Sequence, residues 1–291
     1  MTNKEITQKK KLSGAAEIWR RYKKSPTAMA GLFIISIILF LAIFADIIVP
    51  YEAGIKQVIQ DRLQPPSWAH PFGTDDLGRD LFARVVHGSR SSLALGICTT
   101  LVASLLGGFL GGVSAYYGGR VDTLIMRFMD VINCIPSTLM SLSIVAALGP
   151  GVKNLIIAIT VSRVPTFVRV IRSAVLNIVN QEHIEAARAG GRRDLGILLR
   201  HVYPNAMSPI IVQCTMSVSQ LILQAAGLSF LGMGVQPPAP EWGSLLNSAR
   251  DYMRTAPHLM IFPGVAIILA AMAFNLIGDG LRDAFDPRLK S

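Results

Sequence analysis

The chain has 291 residues, 51% of them hydrophobic and only 16% charged, with a formal net charge of +10. A mean hydropathy of +0.46 lies outside the range of soluble domains and identifies a polytopic membrane protein. The basic excess then reads as topogenic and lipid-surface charge, and gives no reason to invoke nucleic acid.

Taken in chain order, residues 1–27 form a basic arm with Lys4, Lys9, Lys10, Lys11, Arg20, Arg21, Lys23 and Lys24. A first transmembrane helix is expected over 28–50, built on an uncharged run at 25–45. That run is longer than a signal-peptide core and no small-x-small site precedes Asp46, so the helix should stay as an anchor. Residues 51–88 read as an extracytoplasmic loop. Its Asp75, Asp76 and Asp80, in PFGTDDLGRDL, lack the alternating acids and closing Glu of a calcium loop, and predict a glycine-rich turn leading into an interfacial helix.

Residues 89–280 form the core, expected to hold five further helices. Uncharged runs at 91–119, 131–152, 202–240 and 255–278 each exceed the ~20 residues that span the hydrocarbon core. Residues 154–168, apolar apart from Arg163, supply the return crossing. The 202–240 run is too long for one span, so the fifth helix is expected to end near 227–231. Gly227, Gly232 and Gly234, then Pro237, Pro238 and Pro240, break it there, and irregular backbone at that depth suggests a substrate-entry vestibule. The overlapping pairs Gly107/Gly111 and Gly108/Gly112 are expected to pack inside the bundle. Cys98, Cys134 and Cys214 read as small buried packing residues, with neither a disulfide framework nor a zinc site. Residues 281–291 are the tail. The fold class is therefore all-α, with six transmembrane helices.

Loop charges set the orientation. With six crossings, the N-terminal arm, 118–127, 169–200 and the segment after Asp279 share one side and carry nineteen of the 28 Lys and Arg residues. Both termini are expected in the cytoplasm.

On that side lies the most informative segment, EAARAGGRRDLGILLRHVYPN at 185–205. Asn180 is the expected N-cap of a first short helix that carries Glu182 and Glu185 on one face, and the Gly190-Gly191 pair supplies a residue at positive φ to close it. Asp194 is expected to cap a second short helix, and Pro204 to mark a change of direction into the next apolar run. A basic two-helix shape also suits a DNA-binding helix-turn-helix, but such a module needs a soluble body, and this one is bracketed by membrane spans. No G-x-x-x-x-G-K-[ST], no His-Glu-x-x-His and no nucleophile elbow occurs, so the sequence offers no enzyme site and no ATP site of its own.

The segment resembles the EAA loop of binding-protein-dependent ABC importer permeases, E-A-A-x-x-x-G, nine residues, then I-x-L-P. Glu185, Ala186, Ala187, Gly191 and Pro204 match, while His201 and Tyr203 replace the usual isoleucine and leucine. Residues 70–93, 225–246 and 274–290 are similar to the corresponding segments of the C-type permease subunit of dipeptide, oligopeptide and nickel importers. The resemblance implies a type I ABC importer permease, with the loop at about 180–204 as the coupling helix. It also implies a homologous second permease, one or two ATP-binding subunits that hold ATP and Mg²⁺, and an extracytoplasmic substrate-binding protein, with membrane lipid around them and no cofactor or metal on this chain. The coupling helix would seat a small-residue face, Ala186, Ala187 and Gly191, in a cleft of the ATPase. Glu185 would pair with a basic ATPase residue or cap its own loop.

Arg163 has two readings. Counted from an outer boundary near Asn154 it lies about 13 Å deep, where it would line the translocation path and attract the carboxylate of a passing peptide. If the boundaries shift by a few residues, it instead snorkels to the cytoplasmic headgroups near Pro165, Arg169 and Arg172. Short peptides are the expected substrate, with nickel or a metal chelate as the alternative. A secondary transporter would need internally repeated halves, which the sequence does not show, and a channel or scaffold leaves the two-helix segment without a purpose.

Overall fold

The computed structural model describes residues 14–286. Lys4, Lys9, Lys10 and Lys11 of the basic arm, and the end of the tail, lie outside them. The described residues form an all-helical bundle: α1 (Gly14–Tyr22), α2 (Pro26–Ile43), α3 (Ala45–Ile48), α4 (Tyr51–Ile55), α5 (Leu81–Tyr117), α6 (Gly119–Asn133), α7 (Ser137–Leu148), α8 (Val152–Val179), α9 (Glu182–Ala189), α10 (Asp194–Ile197), α11 (Tyr203–Phe230), α12 (Trp242–Ala249) and α13 (His258–Phe285). Five helices are long and apolar enough to cross a bilayer: α2, α5, α8, the continuous Asp194–Phe230 and α13. A sixth crossing is made if α6 and α7 are taken together, and these meet at 81°. The sequence NCIPS explains the bend, because Pro136 has no N–H to donate and disfavours helical backbone in the residue before it.

Helix starts follow local chemistry. Ser25 caps α2, accepting from the Ala28 amide at 3.3 Å with Pro26 in the first turn. Asp80 caps α5 through the Ala83 amide at 2.8 Å. The helix expected after the glycine-rich turn is therefore continuous with the helix of the second span, one element of 37 residues that starts at Leu81. The turn itself holds a buried ion cluster: Asp75 accepts from Arg79 Nε at 2.7 Å and from the Leu77 and Arg79 amides at 2.9 Å, and also pairs with Arg84. Burial and the neighbouring Asp75 charge hold the Asp76 carboxyl above the usual carboxylate range.

The core of the bundle is the α5–α8 contact, and the glycines make it. A Cβ on Gly111 would lie 2.6 Å from the Val168 carbonyl oxygen, and Gly107 sits directly against Phe167. α2 lies along α13 through Ile35, Ile38 and Ala42. The helix after 202 ends at Phe230, inside the expected window, and Gly232 at φ +82 turns the chain away. The cysteines depart from expectation. Cys98 and Cys134 are exposed, the latter just past the end of α6, and Cys214 is half-buried against the core that holds Phe167 and Ile171; all three are free.

Candidate functional site

The basic segment folds as one short helix followed by the first turn of a long one. Asn180 ends α8 and Gln181 holds the N-cap position of α9, with no side-chain capping bond, so the cap expected at Asn180 is absent. At the other end of α9 the expected glycine turn is present. Gly191 has φ +72, its amide bonds the Arg188 carbonyl at 2.9 Å, and the Arg192 amide bonds that of Ala187 at 3.3 Å. This pair of bonds is the Schellman closure, which needs a residue without Cβ strain at the left-handed position.

Asp194 is the first residue of α10, not its cap. The N-cap position belongs to Arg193, and the Asp194 carboxylate instead accepts from Tyr116 Oη at 2.8 Å. Arg188 lies over the same tyrosine ring at 4.7 Å from its centroid. Pro204 marks no change of direction. The chain runs on from α10 into α11 through a π turn at Leu198–Val202, where the Tyr203 amide reaches back to Leu198. A wider turn relieves the clash of the Pro204 ring with the preceding carbonyls and absorbs its missing N–H.

Two fully buried isoleucines, Ile184 and Ile197, fix this loop to a core shared with Tyr116, Val179 and Val202. Glu182, Glu185, Ala186 and Gly191 remain exposed, while Ala187 is half-buried and packs inward, so the small-residue face is divided between the protein and the outside. The Glu185 carboxylate makes no hydrogen bond among the described residues, which leaves it turned outward rather than capping its own loop. The arrangement can act as a lever: a polar, exposed helix whose underside is bolted to the ends of α5, α8 and α11. Sequence reading missed Tyr116 and Arg188 as the bolt. The paired tyrosines directly before Gly118 were the available signal.

Arg163 lies in the middle third of the 28-residue α8 and is half-buried. Its Nε donates to Gln224 Oε1 at 2.8 Å and its Nη1 to Gln220 Oε1 at 3.3 Å, both on α11. Gln224 Nε2 in turn donates to Ser141 Oγ on α7 at 3.0 Å, and Ser141 meets Ser162 at 2.8 Å. Asp130 pairs with Arg169 at 2.8 Å and not with Arg163. Gln220 and Gln224, one turn apart in an apolar helix, were legible as a polar stripe, but not as partners of Arg163.

Comparison with known proteins gives the family of the chain. Residues 103–291 match the family described as binding-protein-dependent transport system inner membrane component, and residues 14–66 match the N-terminal TM domain of oligopeptide transport permease C. The dipeptide transport system permease protein DppC of Alkalihalophilus pseudofirmus is 44% identical over 275 residues, covering 94% of this chain and 90% of the relative. The glutathione transport system permease protein GsiD of Pectobacterium atrosepticum is 45% identical over 277 residues, covering 94% and 91%. The di/tripeptide transport system permease protein DppC of Pseudomonas aeruginosa is 43% identical over 281 residues, covering 94% and 92%. Among solved structures, an inward-facing conformation of the MetNI methionine ABC transporter shares the fold, with a TM-score of 0.57 at 18% identity over 70% of this chain and 97% of the other. With the family matched over more than half its length, the chain belongs to the inner-membrane components of binding-protein-dependent transport systems and is a multi-pass permease of an ABC importer.

Proposed function

We propose that the chain is one of two homologous permease subunits of an ATP-driven importer of short peptides, and that an extracytoplasmic binding protein delivers the substrate. The observation that carries the substrate class is that the relatives matched along 94% of the chain are named for dipeptide, di/tripeptide and glutathione transport. Both termini and the α9 loop face the cytoplasm, in line with the loop charges. There one or two partner subunits bind and hydrolyse ATP with Mg²⁺, and this chain has no catalytic role. Closure of an ATPase cleft around α9 moves Glu182, Glu185, Ala186 and the Gly191 turn as a rigid piece. The motion passes through Ile184, Ile197 and the Tyr116–Asp194 bond into α5, α8 and α11. Arg163 lines the path. Uptake of labelled dipeptides, oligopeptides and nickel in a strain lacking the gene tests the reading: peptide uptake should fall and nickel accumulation stay level. A fall in nickel alone would overturn the peptide assignment.

A further inference from the structure

Arg192, Arg193 and Arg200 line, with Leu195 and Leu199, a cavity of about 370 Å³ at the start of the helix that runs from α10 into α11. All three arginines are exposed, and none has a carboxylate partner among the described residues. Of the other arginines on this side, Arg169 pairs with Asp130, Arg172 with Asp122, and Arg188 covers Tyr116. Leu199 also lines a second and larger cavity, of about 560 Å³, between α5, α8 and α11. Its walls are almost wholly apolar and include Leu105, Phe109, Met207 and Ile211. The groove follows α11 from Tyr203 up to Thr215, about 18 Å at 1.5 Å per residue. One leaflet of the hydrocarbon core is about 15 Å deep. An apolar trough about one leaflet long and a mouth of three unneutralised guanidinium groups therefore adjoin at a shared wall residue, Leu199.

We propose that these adjoining surfaces hold one anionic phospholipid of the adjacent leaflet, its phosphate at Arg192, Arg193 and Arg200 and an acyl chain along the groove. Charge complementarity selects the occupant. A zwitterionic lipid brings a choline or ethanolamine cation into the same mouth, whereas an anionic headgroup leaves its phosphate free for bidentate guanidinium contacts. A helix of a partner protein could fill the trough, but nothing apolar would satisfy the mouth. The consequence reaches the coupling loop, because Arg192 and Arg193 follow Gly191 directly and a lipid seated there braces the turn against α5. The three arginines lie within the 180–204 loop that the transport reading gives to the ATPase, so the test scores lipid retention and ATPase co-purification separately, and peptide enters neither the proposal nor its test.

The test uses the transporter purified with its partner subunits into nanodiscs of phosphatidylcholine with and without phosphatidylglycerol. Retained lipid is counted by native mass spectrometry after detergent extraction. Wild type should retain phosphatidylglycerol over phosphatidylcholine. Combined Arg192→Gln, Arg193→Gln and Arg200→Gln should cut that preference about tenfold or more, as expected for losing several interfacial charges. Ser104→Phe, which fills the far end of the groove and leaves the arginines in place, should lower retention of both lipids. Added inorganic phosphate should not displace the lipid, because the groove contributes nothing to free phosphate. Equal preference in wild type and the triple variant would overturn the proposal. So would loss of ATPase co-purification with lipid retention unchanged, which would assign the arginines to the ATPase. A photo-crosslink to the second permease from a benzophenone amino acid placed at Met207 in native membranes would likewise show that protein fills the trough.

Discussion

A single arginine at the centre of a span is unfavourable by roughly 2.5 to 3.5 kcal/mol on insertion scales, so Arg163 needs compensation from within the bundle. Two glutamine carbonyls on α11 supply it, and Ser141 holds the nearer one in orientation. Gln220 is exposed, so the guanidinium sits at the edge of the bundle's packed interior. If Arg163 attracts the carboxylate of a passing peptide, Arg163→Gln at unchanged protein level should lower uptake of peptides with a free C-terminus more than uptake of amidated ones. Arg163→Lys should largely restore transport, since an ammonium retains the charge and can still donate to Gln224. Paired transport assays with the two peptide types decide the matter: equal losses for both would leave only packing.

The elements of the bundle are set by where glycine is obligatory and where it is incidental. At Gly191 nothing lies within 4 Å of an added Cβ, so the constraint is the backbone at φ +72 and not space. Gly191→Asn should therefore retain most transport, because asparagine tolerates the left-handed region. Gly191→Val should abolish it while the spans still insert, since a β-branched residue there costs more than the ~1–2 kcal/mol of an ordinary side chain. Glu185→Lys, which reverses an exposed charge of the same helix, should also lose transport. Normal uptake and normal ATPase co-purification in both Gly191→Val and Glu185→Lys would remove the loop from the mechanism. In α5 the constraint is the opposite one. Gly111→Val would drive a side chain into the Val168 carbonyl, whereas the nearest atom to a Cβ on Gly108 is 3.9 Å away. Thermal melting in detergent should show Gly111→Val destabilised by at least the ~1–3 kcal/mol of an overpacked contact, and Gly108→Ala close to wild type.

For the whole molecule the open quantity is orientation, which the loop charges assign and cysteine labelling can measure. In a background without Cys98, Cys134 and Cys214, cysteine at Ser67 or at the fully exposed Trp68 should react with an impermeant thiol reagent in intact cells lacking an outer-membrane barrier. Ser244, in an extracytoplasmic position by the same charge argument, is a poorer probe because its hydroxyl bonds the Glu241 carbonyl at 2.8 Å and the residue is half-buried. Cysteine at Ser291 should stay unlabelled. Labelling at the tail alone would invert the molecule and put α9 on the face opposite the ATPases.

Composition and spacing alone determined the class, the all-α spans and the glycine turn at 190–191, because each rests on a local property: a run of apolar residues, or a backbone angle that only certain residues adopt. They also located the end of the fifth helix, where glycines and prolines deny the chain further helical bonds. What remained undecided depended on neighbours distant in sequence. Whether Asp194 caps a helix or receives the Tyr116 hydroxyl turns on a contact across 78 positions, and the partners of Arg163 lie 57 and 61 positions away. Pro204 looked like a corner because proline ends most helices. A π turn kept the helix continuous, and the buried Ile197 and Val202 on either side of Arg200 hold that turn in the core. The cysteines were misplaced for the same reason. In a membrane protein apolar character says that a residue avoids water, and only packing decides whether it meets protein or the outside of the bundle.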